Sequence, residues 1–217
     1  MIVLSKQNTL NFQHSLLYGS LLGDAYLYPK KGIIQLEQSV ENQEYLFWLF
    51  EKLKSCTSGK SPSLVTRIDK RSGQQTQSYR FYTKALFHEW RPHFYNESGR
   101  KIVPQNLSQL LNPTALAIWF LDDGGRCSGV KKGVFLTIDN YTPEQIETLG
   151  MILKTTFGLT PRLHKSGKSQ SGNVQKRFTF TGENYELFYD ILKPVILELP
   201  SLVKKKLPNV SPFLITP

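Results

Sequence analysis

Two acidic positions, each at the end of an apolar stretch, have the clearest potential for chemistry in this sequence. Asp24 lies near the end of "LLYGSLLGDA" (residues 16–25), and Asp122 and Asp123 follow the apolar part of "LAIWFLDDGG" (residues 116–125). Both stretches are predicted to be helices, and a helix C-terminus disfavours a carboxylate by roughly 0.3–1 kcal/mol. A divalent ion between the two ends would offset this repulsion, since Mg²⁺ binds carboxylate, carbonyl and phosphate oxygens. The simpler alternative is that Asp and Gly form turns after each helix.

The second of these helices has clear start and stop signals. Asn112 is a good N-cap, and Pro113 suits the first helical position. Gly124 and Gly125 tolerate positive φ, so the helix is predicted to end just after Asp123.

The first helix carries a signal for close packing. Gly19 and Gly23 are four residues apart and therefore lie on one face, where they let another helix approach. The second helix has Ile118 and Asp122 at the corresponding positions. If the two helices pack together, the acids at their C-terminal ends meet at one place.

The order of predicted elements is the same in two halves, residues 1–107 and 108–217. Each half has an apolar helix, a strand, an amphipathic helix, a hairpin of basic polar strands and a final helix with aromatic residues. These elements fall at 15–24, 33–39, 43–54, 63–83 and 84–95 in the first half, and at 114–123, 134–140, 144–157, 160–181 and 183–196 in the second. The sequence therefore predicts a duplicated α/β (α+β) unit.

The charge balance favours a polyanionic partner. Lys and Arg number 27 against 17 acidic residues, a net charge of +10. Nucleic acid is the first expectation and an anionic membrane surface the second, while a basic protein that is merely soluble is the alternative. No apolar run approaches the roughly 20 residues that span a bilayer, and no basic amphipathic helix stands out, so no membrane partner is expected. Two cysteines outside any C-x-x-C pair and scattered histidines give no zinc pattern.

The two acidic stretches resemble a known motif. "LYGSLLGDA" (residues 17–25) and "LAIWFLDDG" (residues 116–124) are similar to two copies of the LAGLIDADG motif. The chain resembles the monomeric, two-motif LAGLIDADG homing endonucleases, which are intron-encoded enzymes of organelles and microbes. This resemblance implies two pseudo-symmetric halves, each with a saddle-shaped antiparallel sheet, joined by a central interface of the two motif helices.

The resemblance also implies an active site at the end of the motif helices. The last acid of each motif is catalytic in this family, which points to Asp24 and Asp123 as catalytic residues and metal ligands. The main-chain carbonyls of Gly23 and Asp122 are expected to help bind the metal. Each half closes on a proline, Pro104 or Pro208, and in the family a basic residue lies shortly before it. This residue corresponds to Lys101 in the first half and Lys206 in the second, with Lys205 as a rival for the second position.

Basic and amide side chains in and beside the predicted strands are the candidate DNA contacts. Arg suits bidentate contacts to guanine, Lys neutralises phosphate, and Gln can read adenine. Gln38 and Asp139 stand where the family often places water-organising side chains. The candidates are Gln35, Gln38, Arg67, Lys70, Arg71, Gln75, Gln77, Arg80, Arg126, Lys131, Lys132, Asp139, Arg162, His164, Lys165, Lys168, Gln175 and Arg177. Because side chains alternate along a strand, only some of them can face DNA.

The resemblance implies a monomeric, site-specific endonuclease that cleaves both strands of double-stranded DNA with Mg²⁺ and leaves short 3′ overhangs. Mn²⁺ is expected to substitute, and Ca²⁺ to support binding without cleavage. The halves differ in sequence, so the target is expected to be asymmetric and roughly 20 base pairs long. The N-terminal residues show no presequence pattern, which fits an intracellular protein made inside a chloroplast or mitochondrion. The alternatives are an RNA maturase that binds intron RNA and assists splicing, and a DNA-binding relative that does not cut.

Overall fold

The protein is described by a computed structural model over residues 6–168 and 174–208, and it contains helices and two antiparallel sheets. The helices are α1 (Lys6–Leu22), α2 (Gln43–Lys52), α3 (Arg91–Phe94), α4 (Leu107–Leu110), α5 (Pro113–Asp123), α6 (Pro143–Phe157), α7 (Glu183–Ile196) and α8 (Pro200–Lys206). The strands are β1 (Tyr26–Leu27), β2 (Ile34–Ser39), β3 (Ser63–Ile68), β4 (Gln75–Tyr82), β5 (Gly124–Arg126), β6 (Gly133–Thr137), β7 (Arg162–Lys168) and β8 (Val174–Thr181). No helix in these two ranges is long and apolar enough to cross a bilayer.

The two sheets have the same topology. The strand orders are β1-β2-β4-β3 and β5-β6-β8-β7, and every neighbouring pair is antiparallel. A short strand follows each motif helix: three residues separate β1 from the end of α1, and β5 begins directly after α5. The last two strands of each half form the predicted hairpin. The mixed α/β fold with two similar sheets, predicted from the repeated order of elements, is confirmed.

The motif helices α1 and α5 pack against each other at the centre of the molecule. A Cβ atom on Gly19 would lie 2.4 Å from the Ala115 carbonyl oxygen, and one on Gly23 would lie 2.5 Å from the Asp122 Cβ. Such distances are shorter than real Cβ contacts, so the two glycines permit this helix separation. The apolar residues of α5 from Ala115 to Leu121 are all buried.

Each sheet is covered on one face by a helix of its own half. In the first half, the rings of Phe50 on α2 and Phe81 on β4 meet edge to face, with centroids 5.4 Å apart. In the second half, Phe188 on α7 stacks on Phe180 of β8 with centroids 4.3 Å apart and also contacts Phe120 on α5. The opposite face of each sheet has no such covering helix among the described residues.

Helix α8 and the residues just before it pack from the second half back onto the first half. Glu198, just before α8, accepts a hydrogen bond from the Trp48 indole at 3.0 Å and lies 2.6 Å from the Lys52 ammonium. Ser201 on α8 donates a hydrogen bond to Glu44 at the start of α2. These contacts join α8 to α2 and fix where the end of α8 points.

Three expectations about local structure need correction. The first motif helix, predicted at 15–24, runs from Lys6 to Leu22, so Gly23 and Asp24 lie just beyond its end. The segment 84–95 is not a helix along its length but a 3₁₀ turn at His88–Trp90 followed by the four-residue α3. Its aromatic residues are drawn into a cluster around Tyr18 of α1, with the Trp90 ring centroid 4.5 Å from that of Tyr18. Gly124 ends α5 in an extended conformation (φ −94°) rather than with positive φ, because β5 begins there.

Candidate functional site

The structure brings the two acidic positions together where α1 and α5 end. Asp24 lies two residues beyond α1, while Asp122 and Asp123 are the last residues of α5. The Asp24 main-chain N–H donates a hydrogen bond to Asp122 Oδ2 at 3.3 Å. Asp24 is exposed, whereas Asp122 and Asp123 are partly buried. The three carboxylates therefore line one site, open to solvent on the side of Asp24.

Each half places one lysine on the carbonyl that precedes its catalytic candidate. Lys101 Nζ donates a hydrogen bond to the Gly23 carbonyl. Lys206 Nζ lies 3.1 Å from both the Asp122 and the Gly124 carbonyl oxygens. The two lysines thus occupy matching positions beside the two acids.

The rival Lys205 points away from this site. Its ammonium lies 3.0 Å from Asn42 Oδ1 and 3.4 Å from Glu41 Oε2, and its side chain is exposed. The geometry favours Lys206 as the second basic residue.

Burial and mutual repulsion raise the carboxylate pKa values. Burial, followed by the charge of Asp24, raises the pKa of Asp123 to about 7. Burial and the charges of Asp24 and Asp123 also raise the pKa of Asp122 well above its usual range. Burial lowers the pKa of Lys101 and Lys206, although the acids oppose that shift. When all three carboxyl groups are ionised, their charge exceeds that of the two ammonium groups, and a bound cation would balance it.

The donor set of the site is made only of oxygens. The two carboxylates and the two neighbouring carbonyls are the ligand types that Mg²⁺ prefers. Within the described ranges, no group of three or more His, Cys, Asp and Glu side chains is arranged to hold a metal ion by itself. A bound ion would therefore need the carbonyls, water or a ligand oxygen to complete its coordination.

The sequence interpretation missed the side chain of Asp122 and its partner Tyr45. Asp122 Oδ1 accepts hydrogen bonds from Gln38 Nε2 at 3.1 Å and from the Tyr45 hydroxyl at 3.0 Å. Gln38, predicted to act near the site, also donates to Asp24 Oδ2 at 3.3 Å. The doubled acid at residues 122–123 was the available signal, whereas nothing near Tyr45 in the sequence marks it.

The uncovered face of the first sheet centres on Glu37, which the sequence interpretation also missed. Glu37 lies 2.5 Å from Arg67 and 2.6 Å from Arg80, and its neighbour Gln35 donates to it at 3.1 Å. Partial burial opposes the shift, but hydrogen bonds from Arg67, Ser78 and Arg80 lower the pKa of Glu37 to about 2. The predicted contacts Gln35, Arg67 and Arg80 thus share this face and are held in place by one carboxylate.

Four predicted contacts share the uncovered face of the second sheet. By strand register, Arg162, His164, Gln175 and Arg177 lie on the side of Phe135, opposite the buried Val134 and Leu136. The Arg177 guanidinium lies over the Phe135 ring, 4.5 Å from its centroid. These residues form a polar surface in the same half as Asp123.

The remaining predicted DNA contacts are not grouped on the uncovered faces of the two sheets. Gln75, Gln77 and Lys165 alternate onto the side of each sheet that packs against helices, although all three are exposed. Lys132 forms an ion pair with Glu186 on α7, Arg126 donates to the Lys205 carbonyl, and Asp139 accepts from the Lys176 amide rather than contacting the acids. Lys70, Arg71 and Lys131 are exposed in turns. The side chain of Lys168 lies outside the described part of the structure.

Fold and site together define a duplicated α/β protein in which paired helices bring one acid from each half to a common site. The model of the LAGLIDADG DNA endonuclease family matches residues 14–188. The chain belongs to this family, and the resemblance inferred from the two motifs is confirmed.

The similar proteins include both maturases and endonucleases. The cytochrome b mRNA maturase bI2 of Debaryomyces hansenii is 30% identical over 96% of this chain and 80% of that protein. The DNA endonuclease I-ChuI of Chlamydomonas applanata is 24% identical over 86% of this chain and 91% of that protein. Among solved structures, the homing endonuclease I-WcaI bound to its DNA recognition sequence aligns with a TM-score of 0.78, 24% identity and coverage of 97% of this chain and 90% of that one. The last match shows the shared fold.

Proposed function

We propose that this protein is a site-specific endonuclease that cleaves both strands of double-stranded DNA with Mg²⁺. The observation that carries the proposal is the matched pair of sites at the helix ends. Asp24 and Asp123 each follow a carbonyl that is bound by a lysine, Lys101 in one half and Lys206 in the other. Two equivalent acid and lysine pairs are suited to hydrolysing two phosphodiester bonds, one on each strand.

Asp24 and Asp123, with the carbonyls of Gly23 and Asp122, would hold the metal. When bound, Mg²⁺ supplies Lewis acidity that polarises a phosphate and activates water; Mn²⁺ is expected to replace it, and Ca²⁺ to support binding only. Lys101 and Lys206 would stabilise the negative charge that develops on the phosphate or the leaving oxygen. Gln38, bonded to Asp24, would keep that carboxylate aimed at the site.

The partner we propose is a long, asymmetric DNA target. The uncovered sheet faces present Arg67 and Arg80 in one half and Arg162 and Arg177 in the other. The similar protein I-WcaI was solved bound to its DNA recognition sequence, which supports DNA as the partner. One helical turn per sheet gives a site of roughly 20 base pairs for a monomer, and cleavage is expected to leave short 3′ overhangs.

The experiment is cleavage of a randomised duplex library, and of the uninterrupted host gene, by the wild type and two variants. Asp24→Asn and Asp123→Asn are expected to lower the cleavage rate by about 10³-fold or more, since each removes a charged ligand for the metal. In Ca²⁺, both variants should still bind the duplex that the wild type cleaves. Asp190→Asn, on the exposed surface of α7, is the control and should cleave normally. Cleavage at the wild-type rate by Asp123→Asn would contradict the proposal.

A second candidate function is assistance to intron splicing. The specific observation is the similarity, at 30% identity, to a cytochrome b mRNA maturase. A splicing assay that compares the wild type with Asp123→Asn separates the two functions. If the protein is a maturase, both proteins should bind intron RNA and promote splicing equally. A protein that promotes splicing but does not cut DNA would assign the maturase role alone.

We also propose that the protein is located in the organelle where it is made, a mitochondrion or a chloroplast. Detection of the protein in purified mitochondria or chloroplasts tests this location.

A further inference from the structure

The side chain of Asp122 has no counterpart in the first motif. Where α5 carries this acid, the first motif has Gly23, the residue just beyond α1, and the Asp122 Cβ lies only 2.5 Å from the position of a Cβ on that glycine. The carboxylate therefore occupies the space that Gly23 leaves open. The two motifs, otherwise equivalent, differ at this position by a charged group.

Asp122 is bonded to the segment that carries Asp24. Its Oδ2 accepts from the Asp24 main-chain N–H at 3.3 Å, and its Oδ1 accepts from Gln38 at 3.1 Å and from Tyr45 at 3.0 Å. Gln38 also donates to the Asp24 carboxylate, and Asn42 donates to the side-chain oxygen Oε1 of Gln38 at 3.3 Å, which orients the Gln38 amide group. The carboxyl oxygens of Asp122 act as acceptors in all three hydrogen bonds.

Asp123 is held by a different contact. Its Oδ2 accepts a hydrogen bond at 3.3 Å from the indole of Trp119, which is fully buried one turn earlier on the same helix. Neither Gln38 nor Tyr45 is bonded to Asp123 in the described residues. The two catalytic candidates are thus positioned by unrelated sets of side chains.

We propose that Asp122 is a positioning residue for Asp24 and not for Asp123. Through the Asp24 amide and through Gln38, it fixes the main chain and the carboxylate of the first-half acid. Where the proposed endonuclease function holds, this makes the rates of cleavage of the two strands depend differently on Asp122. The effect on rate follows from geometry, because small displacements of a catalytic group cost large factors in rate.

The first test does not need nuclease activity. In Asp122→Ala, the Asp24 amide loses its acceptor, so its hydrogen exchange should accelerate by about tenfold or more in NMR spectra. The Gly124 amide, which donates to the Phe120 carbonyl at the end of the second motif, is the internal control and should keep its exchange rate. Unchanged exchange at Asp24, or equal acceleration at both amides, would overturn the proposal.

The second test is the ratio of the two strand-cleavage rates, measured in single turnover on a duplex with each strand labelled. Asp122→Ala should change this ratio by about tenfold or more while DNA affinity in Ca²⁺ stays within about threefold. Tyr45→Phe, which removes one donor to Asp122 and keeps the ring, should move the ratio the same way by less. If Asp122→Ala folds poorly, the strand-cleavage ratio of Tyr45→Phe alone tests the proposal. An equal loss on both strands would overturn the positioning role, whereas absence of wild-type cleavage would refute the endonuclease proposal and leave the exchange test to decide.

Discussion

Lys205 and Lys206 are neighbours at the end of α8, yet their ammonium groups have different partners. Lys206 is partly buried and bonded to the Asp122 and Gly124 carbonyls, while Lys205 is exposed beside Asn42. Lys206→Met is therefore expected to reduce DNA cleavage by about 10²-fold, the usual cost of losing one group that stabilises transition-state charge. Lys205→Met, the matched control, should stay within about threefold of the wild type. Single-turnover cleavage rates decide, and equal losses in the two variants would contradict the assignment.

The raised pKa of Asp123 makes stability depend on pH in the metal-free protein. The group titrates near its ordinary value of 3.8 in the unfolded chain but at about 7 in the folded protein. Between these values the folded state holds the extra proton, so the free energy of unfolding falls as pH rises from about 4 to 7.

Asp123→Asn removes this titration and is expected to stabilise the protein at pH 8 by on the order of 1–3 kcal/mol, but by little at pH 4. Urea unfolding in EDTA at the two values measures the difference, with Asp190→Asn as the surface control. The same gain at both pH values would show that the charge of Asp123 is not the cause.

The contact between α1 and α5 depends on glycine at two positions. Gly19→Ala would place a Cβ 2.4 Å from the Ala115 carbonyl oxygen, and a backbone atom of a packed helix cannot yield cheaply. This variant is expected to lose about 1–3 kcal/mol of unfolding free energy, as overpacked cores do.

Gly150→Ala on α6 is the matched control. Its added Cβ would lie 3.8 Å from the Phe178 ring, an ordinary contact, so the better helix propensity of Ala should leave stability unchanged or raise it by up to about 1 kcal/mol. Urea denaturation compares the two variants, and equal changes would mean that the helices are not in tight contact at Gly19.

The elements of this fold differ in how strongly the local sequence specifies them. Local signals predicted α5 and α6 closely: the Asn112 side chain caps α5 by accepting from the Ala115 amide, and Pro143 occupies the first position of α6. The structure adds a capping box of Thr142 and Gln145 at the start of α6. Residues 84–95 lack such signals, and the packing of Trp90 against Tyr18 decides their path. The side-chain role of Asp122 was missed because it depends on contacts with Gln38 and Tyr45, which lie more than seventy residues away.

At the scale of the whole molecule, the uncovered sheet faces are the surface proposed to meet DNA. Arg162 and Lys165 lie three residues apart on β7, both exposed, and by register they point to opposite faces. Arg162→Gln is expected to weaken DNA binding in Ca²⁺ by about tenfold, the loss of one good base or phosphate contact, and Lys165→Gln by less than about threefold. Fluorescence anisotropy at fixed salt makes the comparison, because electrostatic contributions to affinity depend on salt. A larger loss for Lys165→Gln would place DNA on the other face.

The contacts of α8 and its leading segment with α2 limit how freely the two halves can be recombined. Exposed ion pairs of this kind add little to stability, but Lys52 and Trp48 come from one half and their shared acceptor Glu198 from the other. The same segment delivers Lys206 to the carboxylates. A chimaera that takes one half from another family member should therefore fold around the motif helices yet misplace Lys206. Transferring the contacting residues of both halves together should restore the position of Lys206.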